Sequence, residues 1–111
     1  MQDGETITIN SKRKLVTIYI SRILYVIMQR QYAEIHVYGN RKYVTRMTFG
    51  ELKKQLGENF IEVRRGCIVS IKAIRSITDK VNLINGEILR YTVRRKKEIL
   101  SNYQAIIDDN S

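Results

Sequence analysis

Apolar and polar residues alternate over much of the chain with the two-residue period of half-buried β-strands. Thr6-Ile7-Thr8-Ile9 alternates, and residues 15–20 are mostly β-branched and aromatic, so both stretches read as strands. Residues 23–28 are apolar throughout and follow a polar Ser21-Arg22 step. The run is too short for a helix and predicts a strand buried on both faces. Residues 33–38 and 41–47 flank Gly39-Asn40, a two-residue loop tolerant of positive φ, and predict a hairpin. A second hairpin is predicted between residues 81–84 and 87–93, across Asn85-Gly86. Asn-Gly between strands is the strongest short-range hairpin signal. Residues 60–63 read as a further strand.

Two helices interrupt this pattern. Thr48-Phe49-Gly50-Glu51 is a capping box, in which hydroxyl and carboxylate satisfy each other's orphan amides. Phe49, Leu52 and Leu56 then share one helical face, and Gly57 supplies the stop. A second helix is predicted to begin near Arg94-Arg95, with Ile99, Leu100, Tyr103, Ile106 and Ile107 at helical spacing. Ile71-Lys72-Ala73-Ile74 has room for a single turn. The expected fold class is mainly β with minor α: antiparallel strands, one internal helix and one C-terminal helix. There is no repeat, no low-complexity tract and no proline, so residues 1–111 read as a single domain. Its body spans about residues 5–105, between short acidic tails.

Composition narrows the class. A chain of 111 residues forms one domain that buries roughly two-thirds of its unfolded surface. Its 43% apolar content excludes a disordered basic tail. The apolar run at 23–28 is far short of the roughly twenty residues that span a membrane. The N-terminus lacks the basic-then-apolar order of a signal peptide. One cysteine cannot form an internal disulfide, which makes a reducing cytoplasm the expected location.

Charge adds a partner. Twenty lysines and arginines face eleven acids, for a net charge of +9. Four of those acids, Asp3, Glu5, Asp108 and Asp109, fall in the expected tails, and the body without them carries +13. The densest cluster is Arg90-Tyr91-Thr92-Val93-Arg94-Arg95-Lys96-Lys97, five cations in eight residues, read as a strand entering a helix. Such an excess points to a polyanion, most simply nucleic acid.

Catalysis finds little support. His36 is the only histidine and lies in an alternating strand, where a surface or packed role is the ordinary one. Cys67 lies in the apolar run Gly66-Cys67-Ile68-Val69 and reads as a small core residue. One His and one Cys cannot assemble a tetrahedral metal site. The six glycines are scattered and form no phosphate-binding loop. No enzyme activity, cofactor or metal is expected.

Binding is better supported, because three polar or basic segments lie where strands end. They are Gln29, Arg30, Gln31 and Tyr32; then Arg64 and Arg65; then Arg94, Arg95 and Lys97. Arginine can grip guanine O6 and N7, glutamine suits adenine, and lysine neutralises phosphate. Two other readings use the same surface. One is an RNA-binding β module stacking bases on some of the seven tyrosines. The other is a basic module for acidic proteins or anionic membranes, with the C-terminal helix as its amphipathic element.

The ordered motifs resemble the LytTR DNA-binding domain of bacterial transcription regulators. The strand at Ile23-Leu24-Tyr25-Val26-Ile27 is similar to that family's I-x-Y-I-E strand. Phe60-Ile61-Glu62-Val63-Arg64-Arg65-Gly66-Cys67-Ile68-Val69-Ser70 follows its Phe-x-x-x-His-Arg-Ser-x-x-Val-Asn signature. Asn85-Gly86 and Val93-Arg94-Arg95 match its closing turn and helix start. The resemblance implies an elongated antiparallel fold of three small sheets with a helix packed between them. It also implies loops laid into successive major grooves, two domains per pair of direct repeats, a bent DNA and a possible homodimer. Base reading carries over onto the loop from Gln29 to Tyr32, onto Arg65 and onto Arg94. Departures lie at Ile27, Arg64, Gly66, Ser70 and Val93, where the family has an acid, His, Ser, Asn and Ser. They leave the use of the surface intact and the base sequence open. Family members commonly carry an upstream receiver or sensor domain, so the resemblance leaves two readings open: an output domain cut from such a protein, or a small stand-alone regulator.

Overall fold

The computed structural model describes residues 5–109, with side chains to Asp108. Ten strands and two helices follow one another along the chain. The hairpin β1 (Thr6–Ser11) and β2 (Lys14–Tyr19) comes first. After a single 3-10 turn at Ile20–Arg22 come β3 (Ile23–Gln29), β4 (Tyr32–Val37) and β5 (Arg41–Arg46). Helix α1 (Phe49–Leu56) leads to β6 (Phe60–Arg64) and β7 (Cys67–Ser70). A turn at Ile71–Ala73 opens β8 (Ile74–Ile77), β9 (Val81–Leu83) and β10 (Ile88–Leu89). A last 3-10 turn, Val93–Arg95, enters α2 (Lys96–Asp109).

The strands make three antiparallel sheets: β1-β2, the five-stranded β5-β4-β3-β7-β6, and β10-β9-β8. The expected mainly β architecture with three small sheets is what forms. The five-stranded sheet is central, and its apolar residues divide between two cores. Val26, Ile35 and Ile68 join Ile7, Ile9 and Ile18 of the hairpin and Leu52 and Leu56 of α1. Tyr25, Val63, Cys67 and Val69 join Val81, Leu83, Leu89 and Ile99. Burial on both faces explains why residues 23–28 are apolar without alternation. A register shift between Ile23 and Tyr25 breaks the period further and sends the adjacent Leu24 and Tyr25 into the same core.

Helix α1 forms as its capping box dictates. The Thr48 hydroxyl accepts the Glu51 N–H at 3.1 Å, and the Glu51 carboxylate accepts the Thr48 N–H at 3.0 Å. That pairing holds the Glu51 carboxyl below its ordinary range. Gly57 ends the helix at φ +84°, in the left-handed region that glycine enters most easily. Thr48→Ala is expected to lower stability by about 1 kcal/mol in urea denaturation.

Several expectations change. The loops across Gly39-Asn40 and Asn85-Gly86 have three residues, not two, because Val37 pairs with Arg41 and the Leu83 N–H donates to the Glu87 carbonyl. In the second, Gly86 donates to the Leu83 carbonyl at 3.0 Å and takes φ +94°. β10 stops at Leu89 instead of running to Val93. Its partner β9 has three residues, and beyond them Thr92 donates to the Val63 carbonyl at 3.0 Å, drawing the chain across to β6. Val93 is 82% exposed in a turn, so the Arg90–Lys97 cluster is not a strand entering a helix. α2 begins at Lys96, next to the predicted start at Arg94-Arg95, which themselves lie in the preceding 3-10 turn. It extends to Asp109, which places Asp108 in a helix and not in a tail. Asp3 lies outside the described residues. Along α2, Ile99 is buried, Tyr103, Ile106 and Ile107 are half-buried, and Leu100 is 40% exposed at the edge of the apolar face.

Candidate nucleic-acid interface

Antiparallel order sends alternate strand ends to opposite ends of the central sheet. The end of β3, the start of β4, the end of β5, the end of β6 and the start of β7 share one end. Gln29 to Tyr32 and Arg64 to Cys67 are therefore brought together, although they are more than thirty residues apart in sequence.

The first segment is a tight loop. Gln29 pairs with Tyr32, leaving Arg30 and Gln31 at the tip, with Arg30 at φ +60°. Gln31 is fixed from two sides: its carbonyl accepts the Met47 N–H at 3.2 Å and its Oε1 accepts the Arg46 guanidinium at 2.9 Å. Gln29, Arg30 and Tyr32 are exposed. The second segment has Arg65 and Gly66 at its tip between the paired Arg64 and Cys67. Gly66 takes φ +78°, and its carbonyl accepts the Met28 N–H at 2.7 Å. A Cβ there would lie 3.5 Å from the Met28 carbonyl oxygen, so the second loop touches the end of β3 through backbone, just before the first loop begins. Between them opens a depression of about 780 Å³, lined by Arg30, Gln31, Phe49, Glu62 and Arg65 among others.

The third segment is tied on by side chains. Glu62 accepts the Gly66 N–H through Oε2 at 3.4 Å and meets the Arg95 guanidinium through Oε1 at 3.3 Å. Arg64 reaches the other way, and its guanidinium donates to the Arg90 carbonyl at 2.9 Å. Two of the nine nominated residues, Arg64 and Arg95, thus hold the edge together. Arg30, Arg65, Arg94 and Lys97 are exposed, with no ion pair or side-chain hydrogen bond among the described residues.

Sequence reasoning missed Glu62 and Arg46. Glu62 lay inside the signature stretch, but nothing local says that one carboxylate would serve a loop and a helix. Arg46 could have been found from the hairpin register, which sets it opposite Tyr32.

Of the residues weighed for catalysis, Cys67 is buried at the start of β7 and His36 lies within β4. His36 stacks on Tyr25 with ring centroids 4.3 Å apart, and its Nε2 lies 2.8 Å from the Glu34 carboxylate. The hydrogen bond from His36 lowers the Glu34 carboxyl from its ordinary value. Tyr25 donates its hydroxyl to Glu87 at 2.8 Å, and burial followed by that carboxylate raises its pKa. Burial likewise raises the Cys67 thiol. Among the described residues no His, Cys, Asp and Glu side chains cluster as a metal would need, and no helix is long and apolar enough to cross a membrane.

Comparison with known proteins falls on the same ground. The family model of the LytTR DNA-binding domain matches residues 13–104. A solved chain described as the LytTR DNA-binding domain of a methyl-accepting/DNA response regulator from Bacillus cereus superposes with a TM-score of 0.76. The match covers 89% of this chain and 96% of that one at 14% identity, a likeness of fold. No curated protein matches the sequence.

Proposed function

The chain belongs to the LytTR DNA-binding domain family, and from that premise we propose that it is the sequence-specific, double-stranded DNA-binding output domain of a bacterial transcription regulator. The family is one of DNA-binding domains and not of enzymes. What supports the finer reading is the gathering of three loop segments, with unpaired cations at their tips, at one end of the central sheet.

On this reading the loops enter the major groove. Arg65 and Arg94 read bases, since each presents a free guanidinium suited to guanine. Gln29 and the amide of Gln31 suit adenine, with Tyr32, 46% exposed, beside them. Arg30 and Lys97 neutralise phosphates. Arg64 and Arg95 act by holding the loops in place. Two domains would sit on a pair of direct repeats, because one such edge covers only a few base pairs. Stacking of RNA on aromatic rings is disfavoured: of the seven tyrosines only Tyr19 and Tyr32 are exposed, and Tyr19 lies with Arg41 at the far end of β5 from Tyr32, so they form no common platform.

In vitro selection from random duplex DNA tests this reading. Enrichment of a motif repeated in the same orientation is expected, and no enrichment at all overturns sequence-specific binding. Lys97→Ala should weaken every duplex alike and lessen the salt slope of log K by about 0.9, one phosphate contact. A slope equal to that of the unsubstituted protein would remove Lys97 from the interface.

A further inference from the structure

One cluster of cations stands outside these three segments. The loop joining β1 to β2 is Lys12-Arg13, closed by the Ser11–Lys14 pair. Both loop residues take positive φ, +51° and +66°. A type I′ loop of two residues demands this, and Asn-Gly meets the demand with least strain. Here two long cations occupy the strained positions and Lys14 adds a third. None of the three has an ion pair or side-chain hydrogen bond among the described residues. Local strain that persists without an internal partner is a reason to look for an external one.

Packing sets where the loop lies. The Thr45 hydroxyl donates to the Asn10 carbonyl at 2.9 Å, joining the far part of β1 to the far part of β5. Thr17 and Tyr19 share a depression with Arg41 and Tyr43, joining the base of the hairpin to the beginning of β5. β1 thus runs beside β5 in the same direction, and beyond Asn10 it leads on past Arg46. Arg46 is the residue that donates to Gln31. The Lys12-Arg13 loop therefore stands at the same end of the molecule as Arg30 and Arg65, alongside the edge strand of the central sheet.

We propose that Lys12, Arg13 and Lys14 form a fourth contact to DNA, gripping the phosphate backbone beside the groove without reading bases. The proposal rests on the DNA-binding reading above and adds to its footprint. β1 and Lys12 lie outside the residues 13–104 that the family model matches. Cations at the margin of the edge, next to Arg46, meet sugar and phosphate before they could meet a base edge. Each phosphate they neutralise releases condensed counterions, which binds all sequences more tightly at low salt.

The double variant Lys12→Asn/Arg13→Gly tests this in the full chain. It installs the residues the loop prefers, so its melting temperature should be no lower than that of the unsubstituted protein. At about 0.1 M salt its affinity should fall roughly tenfold or more, equally on the selected site and on random duplex. The salt slope should lessen by about 1.8, two contacts at about 0.9 each, with the selected motif unchanged. Lys12→Gln/Arg13→Gln removes the charge, keeps long side chains, and should give the same loss. Unchanged slopes in both variants, while the unsubstituted protein still binds its site, overturn this contact alone. A loss confined to the selected site also overturns it, by making the loop a reader of bases. Failure of the unsubstituted protein to bind duplex DNA overturns the DNA-binding reading itself, and the fourth contact with it.

Discussion

Arg94→Ala is expected to weaken binding to the selected DNA site by about 1–3 kcal/mol and to cost far less on unrelated duplex. The expectation comes from a contrast between neighbours. Arg95 is engaged by Glu62 at 3.3 Å, whereas Arg94, on the same 3-10 turn, is exposed and unpaired. The turn itself is firm, because Thr92 is bonded to Val63 on one side and the Arg95 N–H donates to the Thr92 carbonyl at 2.8 Å on the other. A guanidinium carried on such a mount needs no ordering of its backbone on binding, only of its own side chain, so its bidentate grip on a guanine shows in the affinity. Titration of both duplexes at one salt concentration measures it. Equal losses on the two would make Arg94 a phosphate contact.

The largest effect on stability is expected at Ile99. Its side chain is 1% exposed, in the core built from Val63, Val81, Leu83 and Leu89. Ile99→Ala should cost about 2–5 kcal/mol, the lost transfer energy plus the cavity left behind. The remaining apolar residues of α2 are half-buried or exposed, so they offer little to compensate. DNA binding should fall too, since α2 carries Lys97 and follows directly on Arg94. Urea denaturation with a linear fit reports the change through the midpoint. A loss below about 1 kcal/mol would mean that α2 is held mainly by its other contacts.

What the sequence made legible was local in origin. The capping box at Thr48 and Glu51 and the stop at Gly57 involve a few residues that satisfy one another, and they formed as read. The hairpin across Asn85-Gly86 formed as well, with its loop one residue longer because the Leu83 N–H pairs with the Glu87 carbonyl and leaves Ile84, Asn85 and Gly86 between them. β8 was not anticipated. Ile74 and Ile77 bracket two polar residues, and the strand exists because Ile74 and Ile77 find Leu83 and Val81 across the sheet. The first two nominated segments were legible as tight turns between strands, whereas Arg94, Arg95 and Lys97 fall in a 3-10 turn and in α2. Which of two adjacent arginines points outward was not legible. Arg64 turns toward the Arg90 carbonyl after a register shift in β6, and Arg65 is left at the tip. That choice depends on where residue 90 ends up in the fold.

The division of labour around Glu62 has an evolutionary consequence. The groups that hold the edge in shape, Glu62, Arg64, Arg95 and the Gly66 backbone, differ from the exposed tips that would meet a base. If Arg65 and Arg94 read bases as proposed, a mutation at either changes the letter a loop favours while its mounting stays whole. Target preference can therefore drift by single steps through folded proteins, and a duplicated copy of this domain can acquire its own operator without first losing its stability.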